Sequence, residues 1–330
     1  MLILAKAVLG IMLGFILSLV TGLILIPILR KKKIGQSTSK LINERHINKE
    51  GTPTLGGLIF IIPTLLSVLF LYFRGSLNIN HNLIITIFVF LAYALLGLLD
   101  DYLKVKKHNN DGLSTKVKFI LQLLIAIVFY SIYKYNGGLT DVTISLFGLR
   151  FELGYFFGIF ILFLLVGTTN AVNITDGLDG LCGGLSVMAF LSYGVISWGS
   201  YWITGYQEIA IFCFILVGSV LGFLVFNTHP AKVFMGDTGS LALGGALATV
   251  AILTRHEISL AVVGGVFVIE TLSSLIQIIT IRKFKKKIFL KAPLHHHFEQ
   301  LGWLETDIVK MFWIVGFMLG MVGLIYGVWL

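Results

Sequence analysis

Charge is what this chain is short of. Only 12% of its 330 residues are Asp, Glu, Lys or Arg, while 57% are apolar and the mean hydropathy is +0.93. A soluble globular domain carries about twice that share of charge, so the scarcity excludes one and leaves a chain that spans a membrane several times. Cysteine is nearly absent as well. Cys182 and Cys213 fall at the cytosolic end of one apolar run and inside the next, which excludes a disulfide framework. No low-complexity segment, linker or internal repeat divides the sequence, so residues 1–330 read as one domain. The first apolar run is followed by its positive charges, Arg30 to Lys33, and carries no small-residue cleavage pattern, so it reads as a retained helix and not as a signal peptide.

What is present in quantity is apolar sequence. Windows long enough to cross about 30 Å of hydrocarbon fall at 2–29, 54–73, 82–99, 117–134, 154–171, 181–198, 207–226, 240–254, 258–281 and 308–329. The expected fold is an all-α polytopic membrane protein of ten transmembrane helices, with both termini external and five cytoplasmic loops. The basic residues test that orientation. Nineteen Lys and Arg fall in loops 30–53, 100–118, 282–299 and the loop after the seventh helix, against five on the other side, and the excess marks the cytoplasmic face. Residues 141–153, "DVTISLFGLRFEL", alternate about Phe147-Gly148 and predict a short external β-hairpin. Ile258 to Phe289 would make a helix of about 48 Å at 1.5 Å per residue, so the ninth helix must tilt, break or run out into the cytosol.

With the orientation set, the few carboxylates fall into place. Asp100 and Asp101 end the third helix in "GLLDDYLK", Asp176 and Asp179 lie in "AVNITDGLDGLCGG", and Asp237 lies in "FMGDTGS" before the eighth helix. All five belong to the cytoplasmic boundary, whereas Glu270 stands alone at mid-membrane depth. One acid at a boundary is ordinarily solvated, and Asp237 or Ser240 could serve only as an N-cap. Five from three loops are harder to explain that way. Asp176 and Asp179 share a face if their segment is helical, while Asp100 and Asp101 lie about 100° apart on a helix, so one of them faces the site and the other supports it. Clustered carboxylates take up protons unless a cation offsets them. Oxygen donors without cysteine favour a hard ion, and Mg²⁺ uses one or two carboxylates plus substrate phosphates. The acids therefore predict a metal-phosphate site, beside glycines 177, 180, 183 and 184 that allow close backbone approach. In "APLHHHFEQ", His295, His296 and His297 cannot all face one point, which argues against a three-His zinc site and for hydrogen bonding to phosphate. Glu270, Ser273, Ser274 and Gln277 form a polar stripe that either holds helices together or lines the site.

"GTPTLGG" (51–57), "LLDDYLK" (98–104), "LSTKVKF" (113–119), "NAVNITDGLDGL" (170–181), "FNTHPAKVFMGDTGSLALGG" (226–245) and "APLHHHFE" (292–299) resemble, over essentially the whole chain, the phospho-N-acetylmuramoyl-pentapeptide transferases. The DD, NxxDGLDG and GDxGS elements are shared with the wider polyprenyl-phosphate N-acetylhexosamine-1-phosphate transferases, and the triple-His loop singles out the muramoyl-pentapeptide branch. The resemblance implies transfer of phospho-N-acetylmuramoyl-pentapeptide from its UDP donor to undecaprenyl phosphate, giving lipid I and UMP, with Mg²⁺, at the cytoplasmic face of the bacterial inner membrane. It also implies a homodimer, membrane lipid as surroundings and no nucleic-acid partner. It assigns Asp237 to Mg²⁺, Asp100 to the lipid phosphate as proposed base, and Asp101 as its essential neighbour. Lys116 and Thr54 match positions near the carrier phosphate or the active-site floor, and Asn173, Asp176 and Asp179 match nucleotide and diphosphate positions. Gly177, Leu178, Asp179, Asn227, Phe234 and Lys49 correspond to a uridine pocket, and Ser240, Gln277 and His295 to His297 to the sugar or diphosphate region. The residues are compatible with a single displacement and with a two-step route through an aspartyl phosphate. The nearest rival is a related transferase using a UDP-N-acetylhexosamine without the peptide. A transporter would carry its acids near the midplane on broken helices, which fits Glu270 alone.

Overall fold

The structure, a computed structural model, describes residues 3–32, 51–107, 111–144, 148–199 and 205–329. Among these, nine helices are long and apolar enough to cross a bilayer. They are α1 (Ile3–Lys31), α3 (His81–Lys107), α4 (Thr115–Tyr135), α5 (Phe156–Thr175), α6 (Leu181–Gly199), α7 (Tyr206–Asn227), α8 (Gly236–Leu253), α10 (Gly265–Phe284) and α12 (Glu305–Leu324). A further apolar helix, α2 (Leu58–Phe73), has 16 residues, and α9 (Leu260–Val263) and α11 (Leu294–Gln300) are short. α7 and α8 form the centre and are buried along most of their length. α7 packs on α1, α2 and α6, and α8 lies between α3 and α5, with α4 and α10 outside α5 and α12 against α6.

Two departures from the periodicity have local causes. The second apolar run was expected from residue 54, but α2 starts at Leu58 because the residues before it bond elsewhere. Gly56 and Gly57 donate to the carbonyls of Phe234 and Met235 at 2.8 and 2.9 Å, and Phe234 donates to Pro53 at 2.8 Å. The backbone of 53–57 thus joins the entry to α8 instead of extending a helix. Of the alternatives for the ninth run, 258–289 breaks, and it does not form the one long bent helix that the family resemblance implies. It is divided at Gly264, which caps α9 with φ −92° and ψ 18°, and α10 ends at Phe284 where Lys285 turns left-handed with φ 54°. Glycine at a helix interior leaves that backbone free to depart from helical angles.

The hairpin forms where the alternation indicates. β1 (Asp141–Ile144) pairs antiparallel with β2 (Leu149–Glu152) in the register Asp141 to Glu152 and Ile144 to Leu149. Asp141 accepts from both Arg150 and Arg255 at 2.7 Å, tying the hairpin to the loop after α8. Burial opposes ionisation of its carboxyl, but the two guanidinium groups hold it below the usual carboxylate range. Cys182 and Cys213 are buried, free thiols.

Candidate active site

The carboxylates converge where α3 ends and α8 begins. Oxygens of Asp100, Asp101 and Asp237 lie within 4.8 Å of one another. Two lysines offset them. Lys104, one turn beyond Asp100 on α3, reaches Asp100 at 2.7 Å and Asp237 at 3.1 Å, and Lys118 from the first turn of α4 reaches Asp237 at 2.5 Å.

The adjacent aspartates differ in what they touch. Asp101 faces α8: its Oδ1 accepts the Asp237 N–H at 3.1 Å, and its Oδ2 accepts the Thr238 N–H at 2.9 Å and the Thr238 hydroxyl at 2.7 Å. A helix leaves its first N–H groups without internal partners, and α8 carries no side-chain cap of its own, so Asp101 caps α8 from another helix. Asp100 instead accepts the Leu113 N–H at 2.8 Å and the Lys104 ammonium. Gly236 permits the junction. Its φ is +73°, and a Cβ there would come within 2.5 Å of Asp101 Oδ2 and 2.8 Å of Thr54 Oγ1. Thr54 is buried beside it, its hydroxyl without a hydrogen-bond partner among the described residues.

Asn173, in the last turn of α5, closes the cluster. Its Nδ2 donates to Asp237 Oδ1 at 3.0 Å and to Ser240 Oγ at 2.8 Å, while Ser240 donates to Gly236 O at 3.0 Å. Because α5 ends at Thr175, Asp176 and Asp179 occupy a turn and share no helical face. Asp176 stays by the cluster, where burial and then the negative charges of Asp237, Asp101 and Asp179 push its carboxyl up to about 8. Asp179 turns away, accepting from His229 Nδ1 and the Ala231 N–H at 3.1 Å each, while its own N–H donates to Glu305 at 2.7 Å. Asn227 accepts from the Gly180 N–H at 3.1 Å and donates to Val233 O at 3.0 Å. Leu178 is buried under the turn, Gly177 is exposed on it, and Phe234 is half-buried in the loop that pairs with Pro53.

The remaining expected residues serve other contacts or lie elsewhere. Gln277 clips the segment after α10, accepting the Ile288 and Phe289 N–H groups at 3.1 Å and donating to Phe289 O at 2.7 Å. The three histidines diverge: His295 goes to Glu270, His296 to Glu299, and His297 Nδ1 accepts the Leu290 N–H. Burial pulls the His296 imidazole below its ordinary range, against the opposing bond to Glu299. Lys116 is exposed on α4, outside the cluster, and Lys49 lies outside the described residues. Lys104, Lys118, His229 and Glu305 emerge only from the fold, as does the pairing of Glu270 with His295. The signal for Lys104 was its spacing of i+4 from Asp100 and i+3 from Asp101.

The donor set suits a hard divalent ion. With both Asp101 oxygens engaged by α8, Asp100 and Asp237 are the carboxylates that could hold one, and two carboxylates completed by phosphate oxygens suit Mg²⁺. Such a cation would also offset the negative charges that, after burial, raise the Asp176 carboxyl.

The model of glycosyl transferase family 4 matches residues 83–255, from the start of α3 to just past α8. The chain is 48% identical over 320 residues to the phospho-N-acetylmuramoyl-pentapeptide-transferase of Bacillus subtilis (strain 168), covering 97% of each. It is 47% identical over 323 residues to the protein of that name from Geobacillus sp. (strain WCH70), and 45% identical over 322 residues to that of Halalkalibacterium halodurans, covering 98% of each chain in both cases.

Proposed function

The chain belongs to the phospho-N-acetylmuramoyl-pentapeptide transferases of glycosyl transferase family 4, and we infer that it acts as they are named. It transfers phospho-N-acetylmuramoyl-pentapeptide from the UDP donor to undecaprenyl phosphate, making lipid I and UMP for peptidoglycan synthesis. An oxygen of the carrier phosphate bonds to the sugar-side phosphorus of the donor. The bond from that phosphorus to the bridging oxygen breaks, and the oxygen leaves with UMP.

The observation that carries this reading is the cluster of Asp100, Asp101 and Asp237 with Lys104 and Lys118 at the joined ends of α3, α4 and α8. Phosphoryl transfer needs positioning and charge neutralisation more than covalent chemistry from the protein. Lys104 and Lys118 supply fixed positive charge beside the reacting phosphates. Asp237, with Asp100 beside it, would hold Mg²⁺, which when bound would neutralise the diphosphate as charge moves to the leaving UMP. Asp101 fixes the α8 entry, and Asn173 with Ser240 holds Asp237 in its rotamer. A phosphate monoester has its second pKa near 6, so the carrier phosphate is mostly dianionic at neutral pH without a base. Asp100 accordingly orients and desolvates the nucleophile. The turn 176–180 with Asn227, Phe234 and Lys49 receives the nucleotide, Thr54 floors the carrier end, and His295 to His297 stand at the sugar-diphosphate side.

The enzyme is a homodimer in the bacterial inner membrane with its active site on the cytoplasmic face, a sidedness supported by the concentration of basic residues in the loops at that end. UMP release by the purified protein tests the reading. Release should require undecaprenyl phosphate, UDP-N-acetylmuramoyl-pentapeptide and Mg²⁺ together, and Asp237→Asn should abolish it. Release from UDP-N-acetylglucosamine in place of the muramoyl donor would overturn the substrate assignment.

A further inference from the structure

Glu270 lies in the second turn of α10 and is fully buried, as is His295 in the first turn of α11. Both carboxylate oxygens are directed at this one residue. Oε2 lies 2.8 Å from His295 Nδ1, and Oε1 accepts the His295 backbone N–H at 3.1 Å. α11 follows Pro293 and has no side-chain cap of its own, so Glu270 supplies one of the acceptors its start lacks. It also fixes the ring. An ionised carboxylate only accepts, so the proton it meets sits on Nδ1 and the free ring atom is Nε2.

That atom has a defined place. Nε2 is buried with no hydrogen-bond partner among the described residues. It abuts Gly177, where an added Cβ would overlap it and approach Cε1 to 2.8 Å. The imidazole edge therefore lies against the turn between α5 and α6. An N–H at Nε2 would be a donor aimed at that turn. The acceptor such a donor calls for is an anionic oxygen.

We propose that Glu270 is a positioning residue for the nucleotide-sugar donor: it holds His295 so that Nε2 meets a phosphate oxygen of the donor beside Gly177. The inference rests on the transferase reading above. A structural strut between α10 and α11 would affect folding and both substrates alike, whereas a positioning residue acts on one substrate through one ring.

The experiment is a double-mutant cycle on the purified enzyme, reading the KM for each substrate from UMP release together with the thermal midpoint. E270Q removes the ionised acceptor, and its KM for UDP-N-acetylmuramoyl-pentapeptide should rise roughly ten- to a hundredfold, the range carried by a charge-assisted hydrogen bond. The KM for undecaprenyl phosphate should hold, E270D should recover part of the loss, and E270Q/H295Q should be no worse than H295Q. Losses that multiply in the double variant, or equal changes in both KM values, would overturn the proposal. If E270Q does not fold, E270D carries the same cycle: its donor KM must rise in the wild-type background and add nothing to that of H295Q. An active wild type with an unchanged E270Q sinks this inference alone. A wild type that releases no UMP overturns the transferase reading, and this inference with it.

Discussion

At the residue scale, the adjacent carboxylates show what a linear motif can and cannot specify. That Asp100 and Asp101 must differ followed from their angular separation on a helix, but which one faces α8 is a matter of how two distant segments meet. Asp101 reaches the α8 backbone only because Gly236 leaves room beside it. The lysines make the same point more sharply. The family motif points to Lys116, yet two residues along a helix are about 200° around its axis. It is Lys118 that touches Asp237 while Lys116 is exposed. Lys118→Gln should therefore lower kcat/KM by about 10²- to 10³-fold, as loss of one fixed charge stabiliser typically does. Lys116→Gln should leave turnover within a few-fold. Steady-state UMP release from the two variants decides between them, and the reverse ranking would restore the motif's assignment. Glu270 was visible in the sequence as a lone mid-membrane acid, but its partner lies 25 residues on in a separate short helix, beyond the reach of any local periodicity.

The helices were legible at the scale of the element because a chain this apolar declares its spans, and the hairpin because its alternation is strict. Their ends were not, since ends are set by contacts made elsewhere. α2 loses its first turn to the pairing of 53–57 with Phe234 and Met235, and the long ninth run is cut at Gly264. The start of α8 is the element on which the site depends. Asp101 accepts from two of the first backbone N–H groups of α8 and from the Thr238 hydroxyl, and replacing a capping acceptor of this kind costs about 1–2 kcal/mol. Asp101→Ala should thus lower the thermal midpoint of the detergent-solubilised protein as well as its activity. Gly236→Ala should be at least as harmful, since it adds about 1–3 kcal/mol of left-handed strain to a clash with Asp101. An Asp101→Ala variant with unchanged melting would mean that α8 needs no cap from α3. The loop after α8 carries a second testable acid. Glu257 is buried, its oxygens lack hydrogen-bond partners among the described residues, and burial raises its carboxyl to about 7 despite Arg255 nearby. Between pH 4.5 and 7 the folded chain keeps a proton that the unfolded chain has released. Glu257 therefore contributes stability that is full below that window and falls as pH rises through it, by about 2–3 kcal/mol. Half-buried His256, pulled below its ordinary range by desolvation, acts with the opposite sign as pH falls. The difference in thermal midpoint between wild type and Glu257→Gln isolates the acid: Gln should gain on wild type from pH 5 to pH 8, and a flat difference would refute the assignment.

For the whole molecule, the open point is whether α2 crosses the membrane. Its 16 residues span about 24 Å, less than the roughly 30 Å of a hydrocarbon core. Its neighbours nevertheless fix where its two ends lie. The start of α2 follows directly on 53–57, which is bonded to the entry of α8 at the acidic cluster. Its end leads through residues 74–80 to the start of α3 at His81, and from there α3 climbs to Asp100, about 29 Å along its axis, to reach the same cluster. The far end of α3 is thus the far side of the molecule, and a seven-residue link cannot return α2 to the near side. On this geometry α2 is expected to traverse, which would add a tenth crossing to the nine among the described residues. The orientation read from basic residues then places Asn78 outside and Lys286 inside. Both are exposed, while Cys182 and Cys213 are buried, so single cysteines at 78 and 286 should report cleanly. In intact cells a membrane-impermeant maleimide should label Asn78→Cys, and it should reach Lys286→Cys only after permeabilisation. Labelling of position 286 in intact cells would invert the orientation and put the acidic cluster on the wrong side for a soluble nucleotide donor. Protection of position 78 until permeabilisation, with 286 also protected, would instead show that α2 re-enters on the side it left, and that its 16 residues are too few to cross.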